Sequence, residues 1–263
     1  MPDNMPAPEL ESGPDGAEPF TATYRVRGDD IDQTMRVRLD AVARYVQDIS
    51  ADMIEDSPFF ETDPYWILRR TIIDVRAPMS WPGNVSVNRW CSATASRWVA
   101  MRQTLRGAPE SSPFNPATRS PGLVETESFC IKVNADGFPS RISDQALDHL
   151  SRGVSDTRLR WRALNDAPTP AESGADTVFA PRASDVDQFA HVNNVIHWQI
   201  VESALTSRPD LLAHPYRGIL EYLRPVPPDT PITVRRCDER DRLLLWMLID
   251  QETVAATASV TRR

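Results

Sequence analysis

The sequence has few cysteines and no long apolar run. Its three cysteines, Cys91, Cys130 and Cys237, are an odd number without C-x-x-C spacing, which excludes a disulfide framework and a zinc ribbon and predicts buried thiols. No segment approaches the roughly 20 apolar residues of a membrane helix, and the first residues lack the basic and apolar pattern of a signal peptide. We therefore expect a soluble, cytoplasmic protein with no membrane span.

Positive charge is also scarce. The chain has 29 basic and 37 acidic residues and a net charge of -8, which argues against a partner such as duplex nucleic acid. The only lysine is Lys132, and we interpret this preference for arginine as the coding bias of a GC-rich genome. The length of 263 residues allows one large domain or two domains of roughly 130 residues each.

Proline-rich segments divide the chain. Residues 1–19 combine prolines and acidic groups with few apolar residues, which predicts a flexible tail. A second such stretch, 107–122, predicts a mobile hairpin loop, and residues 151–176 predict a linker. We therefore expect an N-terminal domain over 20–150 and a C-terminal domain over 177–263.

Hydrophobic periodicity predicts two helices, each followed by strands. Residues 39–53 and 194–205 repeat apolar side chains at steps of three and four. The segments with strand character are 67–75, 85–93, 98–105 and 123–133 after the first helix, and 218–223, 232–237, 242–250 and 254–260 after the second. One helix followed by four strands, occurring twice, predicts an α+β fold with antiparallel sheet.

An internal repeat supports this interpretation. Residues 30–37 and 185–192 share the pattern D-x-D-Q-x-x-x-V and directly precede the two helices, 155 residues apart. Residues 76–87 and 223–234 align in the same order. This colinear order predicts a duplicated unit, although a chance recurrence of D-x-D before a helix is the alternative.

The densest group of chemically active residues directly precedes the second helix. It comprises Asp185, Asp187, His191, Asn193 and Asn194. An acid and an imidazole four residues apart can act on one substrate atom, and a helix start adds unpaired N–H groups and a positive dipole end. These groups suit hydrolysis of an activated acyl group, which needs a base for water and donors for an oxyanion.

Residues 185–202 (DVDQFAHVNNVIHWQIVE) resemble the signature of hot-dog thioesterases, in particular acyl-acyl-carrier-protein (acyl-ACP) thioesterases, and weaker similarity covers about residues 20–260. The resemblance implies a tandem (double) hot-dog fold, each half an antiparallel sheet wrapped around a central helix. It also implies hydrolysis of fatty acyl-ACP or acyl-CoA thioesters to free fatty acid and carrier thiol, as in fatty acid biosynthesis and lipid metabolism. No metal or organic cofactor is required.

The resemblance assigns the catalytic residues. Asp187 and His191 match the family's acid and histidine, and Asn193 and Asn194 match its two closing asparagines. Asp187 is then the general base or, alternatively, the nucleophile, and His191 and Asn193 complete the catalytic set. Phe189 stands where the plant enzymes have a catalytic asparagine, and we expect Phe189 and Asn194 to contact the substrate.

The first copy of the repeat departs further from the motif. Asp32 matches the acid, but Arg36 replaces the histidine, so we expect this copy to lack catalysis and to line the acyl pocket. Gln47 aligns with Glu202 on the two helices, and we expect Gln47 and Trp198 to bind substrate.

Other interpretations of these residues remain open. Asp187 is also suited to capping a turn, and the asparagines to fixing the helix start. Phe189 and Pro225 replace polar groups of the plant enzymes, so a non-catalytic acyl-thioester-binding or assembly module is the alternative function. A hot-dog hydratase fits poorly, because its acid lies five residues before the histidine, whereas here the acids lie four and six before it.

Arginines alternate in the predicted linker. Arg158, Arg160 and Arg162 share one face if the segment is extended, and such a face suits docking of an acidic carrier protein. An ordinary solvated strand edge explains them equally well. The sequence is compatible with a monomer or a homodimer.

Overall fold

A computed structural model describes residues 9–10, 18–116, 119–165, 176–213 and 215–263. Three helices and ten strands are formed there, besides single turns of 3₁₀-helix that include Gly28–Asp30 and Ala183–Asp185. In chain order they are β1 (Phe20–Arg25), α1 (Leu39–Glu55), β2 (Trp66–Ala77), β3 (Gly83–Thr94), β4 (Trp98–Pro109), β5 (Gly122–Lys132), α2 (Asp144–Leu150), β6 (Thr177–Phe179), α3 (Asn194–Leu205), β7 (Tyr216–Tyr222), β8 (Ile232–Asp238), β9 (Arg242–Ile249) and β10 (Thr253–Arg262).

The strands form one antiparallel sheet built from two similar halves. The order across the sheet is β1-β3-β4-β5-β2-β7-β10-β9-β8-β6. The halves meet where β2 pairs with β7, with Arg70 opposite Glu221 and Val75 opposite Tyr216. Outward from this junction the strands follow the same sequence in each half, so the architecture agrees with the predicted duplication.

Both long helices lie against one face of this sheet, which we call the inner face. The main core joins α1, α3 and strands of both halves, and includes Val46, Ile73, Trp198 and Leu220. Burying one large apolar side chain contributes about 1.5–3 kcal/mol, so this shared core holds the two halves together. The opposite, outer face carries a smaller cluster that includes Ile72.

The periodicity predictions for the helices and for the eight strands after them are confirmed to within a few residues at each end. Sequence reasoning missed β1, β6 and α2, because all three are short. α2 begins where Ser143 accepts a hydrogen bond from the Ala146 N–H, a capping contact that a seven-residue helix depends on.

The proline-rich segments are only partly described. Residues 1–8 and 11–17 of the predicted tail and 166–175 of the predicted linker lie outside the described residues. In the predicted hairpin loop, β4 and β5 remain paired as far as Gly107 and Gly122. Within the described ranges, we find no helix that is long and apolar enough to cross a membrane.

Candidate active site

The segment 187–191 forms a tight loop that its own acid holds in place. Asp187 Oδ1 accepts the N–H groups of Phe189 at 2.9 Å and His191 at 3.2 Å. The Asp187 N–H donates to the His191 carbonyl at 2.8 Å, and Ala190 takes a positive φ of 58°. Aspartate favours such turns because its side chain replaces a backbone acceptor. Among the described residues, Asp187 Oδ2 has no hydrogen-bond partner, so this oxygen is available for chemistry.

The first half contains the same loop. Asp32 Oδ1 accepts the N–H groups of Thr34 at 2.8 Å and Arg36 at 3.1 Å, and Met35 has a φ of 66°. The difference lies in the second carboxylate oxygen: Asp32 Oδ2 accepts a hydrogen bond from Arg36 Nε at 2.8 Å. The two loops are therefore equivalent in backbone geometry, but the first one is closed by an ion pair.

The start of α3 is fixed by side-chain contacts. Asn193 caps the helix by accepting the Val195 N–H at 2.9 Å, and its own N–H donates to the Asp185 carbonyl at 2.8 Å. The Tyr222 hydroxyl donates to the Asn194 carbonyl at 3.2 Å. The Asn194 N–H has no acceptor within the described part of the chain, as is usual for the first turn of a helix. It therefore remains available to an acceptor from a ligand.

In the first half, a carboxylate occupies the corresponding helix start. Glu202 of α3 accepts the Leu39 N–H, at the first position of α1, at 2.6 Å. It also accepts two hydrogen bonds from Arg36, at 2.8 Å from Nη2 and 3.1 Å from Nη1. In the first half, the two carboxylate oxygens of Glu202 thus lie between the start of α1 and the side chain of Arg36 at the end of the loop.

In the second half, none of the described carboxylates makes the contacts that Glu202 makes in the first half. Gln47 on α1 corresponds to Glu202, and both Gln47 and His191 are exposed. Neither side chain hydrogen-bonds to another described residue. The Asn194 N–H, the His191 imidazole and Asp187 Oδ2 are therefore all without a hydrogen-bond partner among the described residues, while Asn193 caps the helix start.

The remaining predicted site residues differ in their burial. Phe189 lies at the loop tip, 61% exposed, whereas Trp198 is 0% exposed and packs in the core against Gly218. Asp185 accepts the N–H and guanidinium of Arg182; burial opposes the effect, but these hydrogen bonds lower the pKa of Asp185. Asp185 therefore stabilises the turn before the loop.

Two buried residues that support the site were missed as candidates. His197 Nδ1 lies 3.3 Å from the Asn193 carbonyl, and its ring contacts the Tyr222 ring edge-on. Burial lowers the pKa of His197 to about 4, so the ring is neutral at physiological pH. In the sequence, Tyr222 belongs to the predicted strand 218–223, and no motif set it apart as a site residue. Beyond it, Val226 supports the loop through its carbonyl, which accepts the Val192 N–H.

The three arginines of the predicted docking face are exposed. They alternate with the half-buried Leu159 and Trp161, as the extended segment predicts. Trp161 packs on the outer face of the sheet, where its ring contacts the guanidinium groups of Arg69 and Arg70. Arg158, Arg160 and Arg162 therefore lie on the outer-face side of the sheet. The loop at 187–191 leads into α3, which lies on the inner face.

Comparison with known proteins identifies the family. The acyl-ACP thioesterase N-terminal domain matches residues 17–112, and the acyl-ACP thioesterase C-terminal domain matches residues 169–258. The chain belongs to the acyl-ACP thioesterase family. A relative over nearly the full length is the uncharacterized protein Rv2001 of Mycobacterium tuberculosis (strain H37Rv), which is 35% identical over 94% of both chains.

Two solved structures share the fold of this chain. An acyl-ACP thioesterase from Bacteroides thetaiotaomicron superposes with a TM-score of 0.71 at 12% identity, covering 92% of this chain and 97% of that one. The 12:0-ACP thioesterase from Umbellularia californica gives a TM-score of 0.67 at 18% identity, covering 93% and 97%. The resemblance expected from residues 185–202 is thereby confirmed at the level of family and double hot-dog fold.

Proposed function

We propose that the protein hydrolyses fatty acyl thioesters of acyl carrier protein or coenzyme A at Asp187, His191 and the start of α3 at Asn194. The observation that carries this proposal is the carboxylate of Glu202 in the first half. Its two oxygens are held by a helix-start N–H and by the residue equivalent to His191. The equivalent donors of the second half, the Asn194 N–H and His191, are offered to the carbonyl oxygen of a thioester.

In the proposed mechanism, Asp187 acts as the general base. Its free Oδ2 takes a proton from water, and the water oxygen forms a bond to the thioester carbonyl carbon. The Asn194 N–H and the positive end of α3 stabilise the resulting oxyanion, together with His191 as a donor. Collapse of the intermediate breaks the C–S bond, and Asp187 returns the proton to the leaving sulfur.

The substrate contacts follow from the same arrangement. Gln47 faces the reacting group from α1, on the side where Glu202 lies in the first half, and donates or accepts as the substrate requires. Phe189 at the exposed loop tip offers an apolar surface to the arm of the carrier. Each half then acts as one hot-dog unit, its strands wrapped around its long helix, and Trp198 supports the acyl group from the core.

The arginines at 158, 160 and 162 would attract an acidic carrier.

A hydrolysis panel tests the proposal. Acyl-ACP and acyl-CoA thioesters of graded chain length are incubated with wild type, Asp187→Asn and Asp32→Asn, and the released thiol is measured. Asn keeps the hydrogen bonds of the loop but cannot act as a base, so we expect Asp187→Asn to lose at least about a hundredfold in kcat/KM. Asp32→Asn, in the equivalent loop of the first half, is the matched control and retains activity.

The alternative from the sequence gives a different result. A non-catalytic acyl-thioester-binding module would bind the same thioesters without releasing thiol, and Asp187→Asn would not change its affinity. The replacement of polar family residues by Phe189 and Pro225 motivates this alternative. Asp187 Oδ2 has no hydrogen-bond partner among the described residues, which favours hydrolysis because this oxygen can act as a base and binding alone does not need one.

A further inference from the structure

A row of buried polar side chains crosses the inner face of the first half. On β3, Val85 and Val87 face the main core, so Arg89, two residues further, points to the same side. Gln103 on β4 lies directly opposite Arg89, and Thr126 on β5 lies opposite Gln103. An inner face that is apolar elsewhere is therefore interrupted by adjacent polar groups.

Thr126 Oγ1 donates to Gln103 Oε1, but several other polar groups of this row have no partner among the described residues. Arg89 is 5% exposed, and both its Nε and its Nη1 are without a hydrogen bond among the described residues. Gln103 Nε2 and Ser128 Oγ are also buried and unpaired there. Leaving a buried donor unpaired costs about 1–3 kcal/mol, and more for a charged group. All three side chains offer donors, so the missing partner is a group rich in acceptors.

Arg89 in particular has no counter-charge among the described residues. The ionisable groups that interact with it are the thiols of Cys91 and Cys130. Burial raises the pKa of Cys91 to about 12 and that of Cys130 to about 11, so both thiols are neutral. Burial lowers the pKa of Arg89 to about 10, which still leaves the guanidinium charged at neutral pH. A buried cation of this kind requires an anion, and none of the described residues supplies one.

The row begins at the candidate active site. The side chains of Thr71 and Trp198 lie next to the hydroxyl of Tyr222, which holds the start of α3. Thr71 lies opposite Ser128 in the pairing of β2 with β5. From Tyr222 on β7 the row runs across β2, β5 and β4 to β3, roughly 19 Å at the usual strand spacing. It leads from the reacting centre into the first half, the direction in which an acyl chain would extend.

We propose that the acyl group accepted by this protein carries a carboxylate at the end remote from the thioester, and that Arg89 binds this carboxylate with help from Gln103. This inference rests on the proposed function, because it describes the substrate of the same site. Guanidinium and carboxylate form short, charge-assisted and often bidentate hydrogen bonds, which satisfy both unpaired nitrogens of Arg89. A plain hydrocarbon chain would leave them unpaired.

The test compares two series of CoA thioesters of graded length. One series carries unsubstituted fatty acyl groups, and the other carries acyl groups of the same length that end in a carboxylate. We expect wild type to prefer the carboxylate series by at least about tenfold in kcat/KM at its best length, the size of one charged hydrogen bond. Equal rates, or a preference for unsubstituted chains, would overturn the inference.

Substitutions test whether Arg89 is responsible for the preference for the carboxylate series. Arg89→Met should abolish it, mainly by raising KM for the carboxylate series. The matched control is Arg102→Met on β4, since Arg102 pairs with Glu127 on the outer face. A preference that survives Arg89→Met contradicts the proposal. If Arg89→Met does not fold, Gln103→Leu replaces it and should reduce the preference by a smaller factor.

A binding measurement separates this inference from the proposed hydrolysis. Free dicarboxylic acids should raise the Tm of wild type more than monocarboxylic acids of the same length, because a ligand that binds only the folded state stabilises it. If no thioester is hydrolysed, the proposed function fails, yet this difference in Tm still decides whether a carboxylate binds. Equal shifts from both acids would disprove the carboxylate site even in an active enzyme.

Discussion

Arg36 and Glu202 form a two-point ion pair between the first loop and α3, with side chains that are 11% and 9% exposed. The pair joins the two halves of the chain and occupies the place in the first half that corresponds to the proposed site. Removing one partner of a buried pair leaves the other charge uncompensated. The same contact therefore contributes to the cohesion between the halves and, under the proposed function, closes the first half to substrate.

Glu202→Ala should consequently destabilise the whole protein. It leaves Arg36 buried without its main partner and frees the Leu39 N–H, so we expect a loss of about 3 kcal/mol in the free energy of unfolding, measured by urea denaturation. Asp210→Ala removes an exposed carboxylate partner of Arg208 and should cost no more than about 1 kcal/mol. Similar losses in unfolding free energy in the two variants would show that the buried pair stabilises the protein no more than an exposed one.

Gln47→Glu should lower the catalytic activity of the protein. The substitution places a carboxylate in the second half where Glu202 lies in the first, within reach of the Asn194 N–H and His191. We expect kcat/KM to fall at least about tenfold, because the new side chain competes with the thioester for the same donors. Gln47→Ala should retain more activity than Gln47→Glu.

The charge alone has to be controlled in that experiment. Gln251→Glu adds the same charge in the exposed turn between β9 and β10 and should leave kcat/KM unchanged. If Gln47→Glu and Gln47→Ala lose activity equally, the helix-start N–H is not the site of the oxyanion.

The sequence predicted what depends on local pattern. The periods of α1 and α3 and the repeated D-x-D were sufficient for the duplicated architecture, because amphipathic spacing and loop chemistry are local properties. The contact between Arg36 and Glu202, 166 residues apart, depends on the association of two halves, which no local pattern records. Similarly, Arg89 looked like one of many arginines until its strand register placed it on the inner face.

The stability of the protein should decrease in acid partly through Asp30. Its carboxylate accepts hydrogen bonds from the Tyr45 hydroxyl, the Arg27 N–H and Arg44. Burial opposes the effect, but these contacts together lower the pKa of Asp30. Because the folded-state pKa is below the unfolded value of about 3.9, the stabilisation is fully present above that value and is lost as the pH falls through the folded-state pKa.

Asp30→Asn tests this pH dependence. The difference in unfolding free energy between wild type and the variant should be largest at neutral pH and should shrink on acidification below about pH 4. The neighbouring exposed Asp29, changed to Asn, should leave the unfolding free energy close to that of wild type. A wild-type advantage that is constant down to the lowest pH would contradict the role given to the Asp30 carboxylate.

Gly218 on β7 sets how closely α3 approaches the sheet. A Cβ at this position would lie 2.9 Å from Cζ3 and 3.1 Å from Cη2 of the Trp198 ring, which is wholly buried and has no room to turn aside. Gly218→Ala should therefore cost about 1–3 kcal/mol in unfolding free energy, as overpacked cores do. Because Trp198 lies on the second turn of α3, the displacement should also move the Asn194 N–H and reduce kcat.

The matched substitution is Gly28→Ala. A Cβ at Gly28 meets no atom within 4 Å, so this variant should keep both the stability and the activity of wild type. If Gly218→Ala loses stability but keeps its full kcat, the core absorbs the added methyl group without moving the helix start. The oxyanion position would then be fixed by Asn193 and Tyr222 alone, and the packing of Trp198 would matter only for folding.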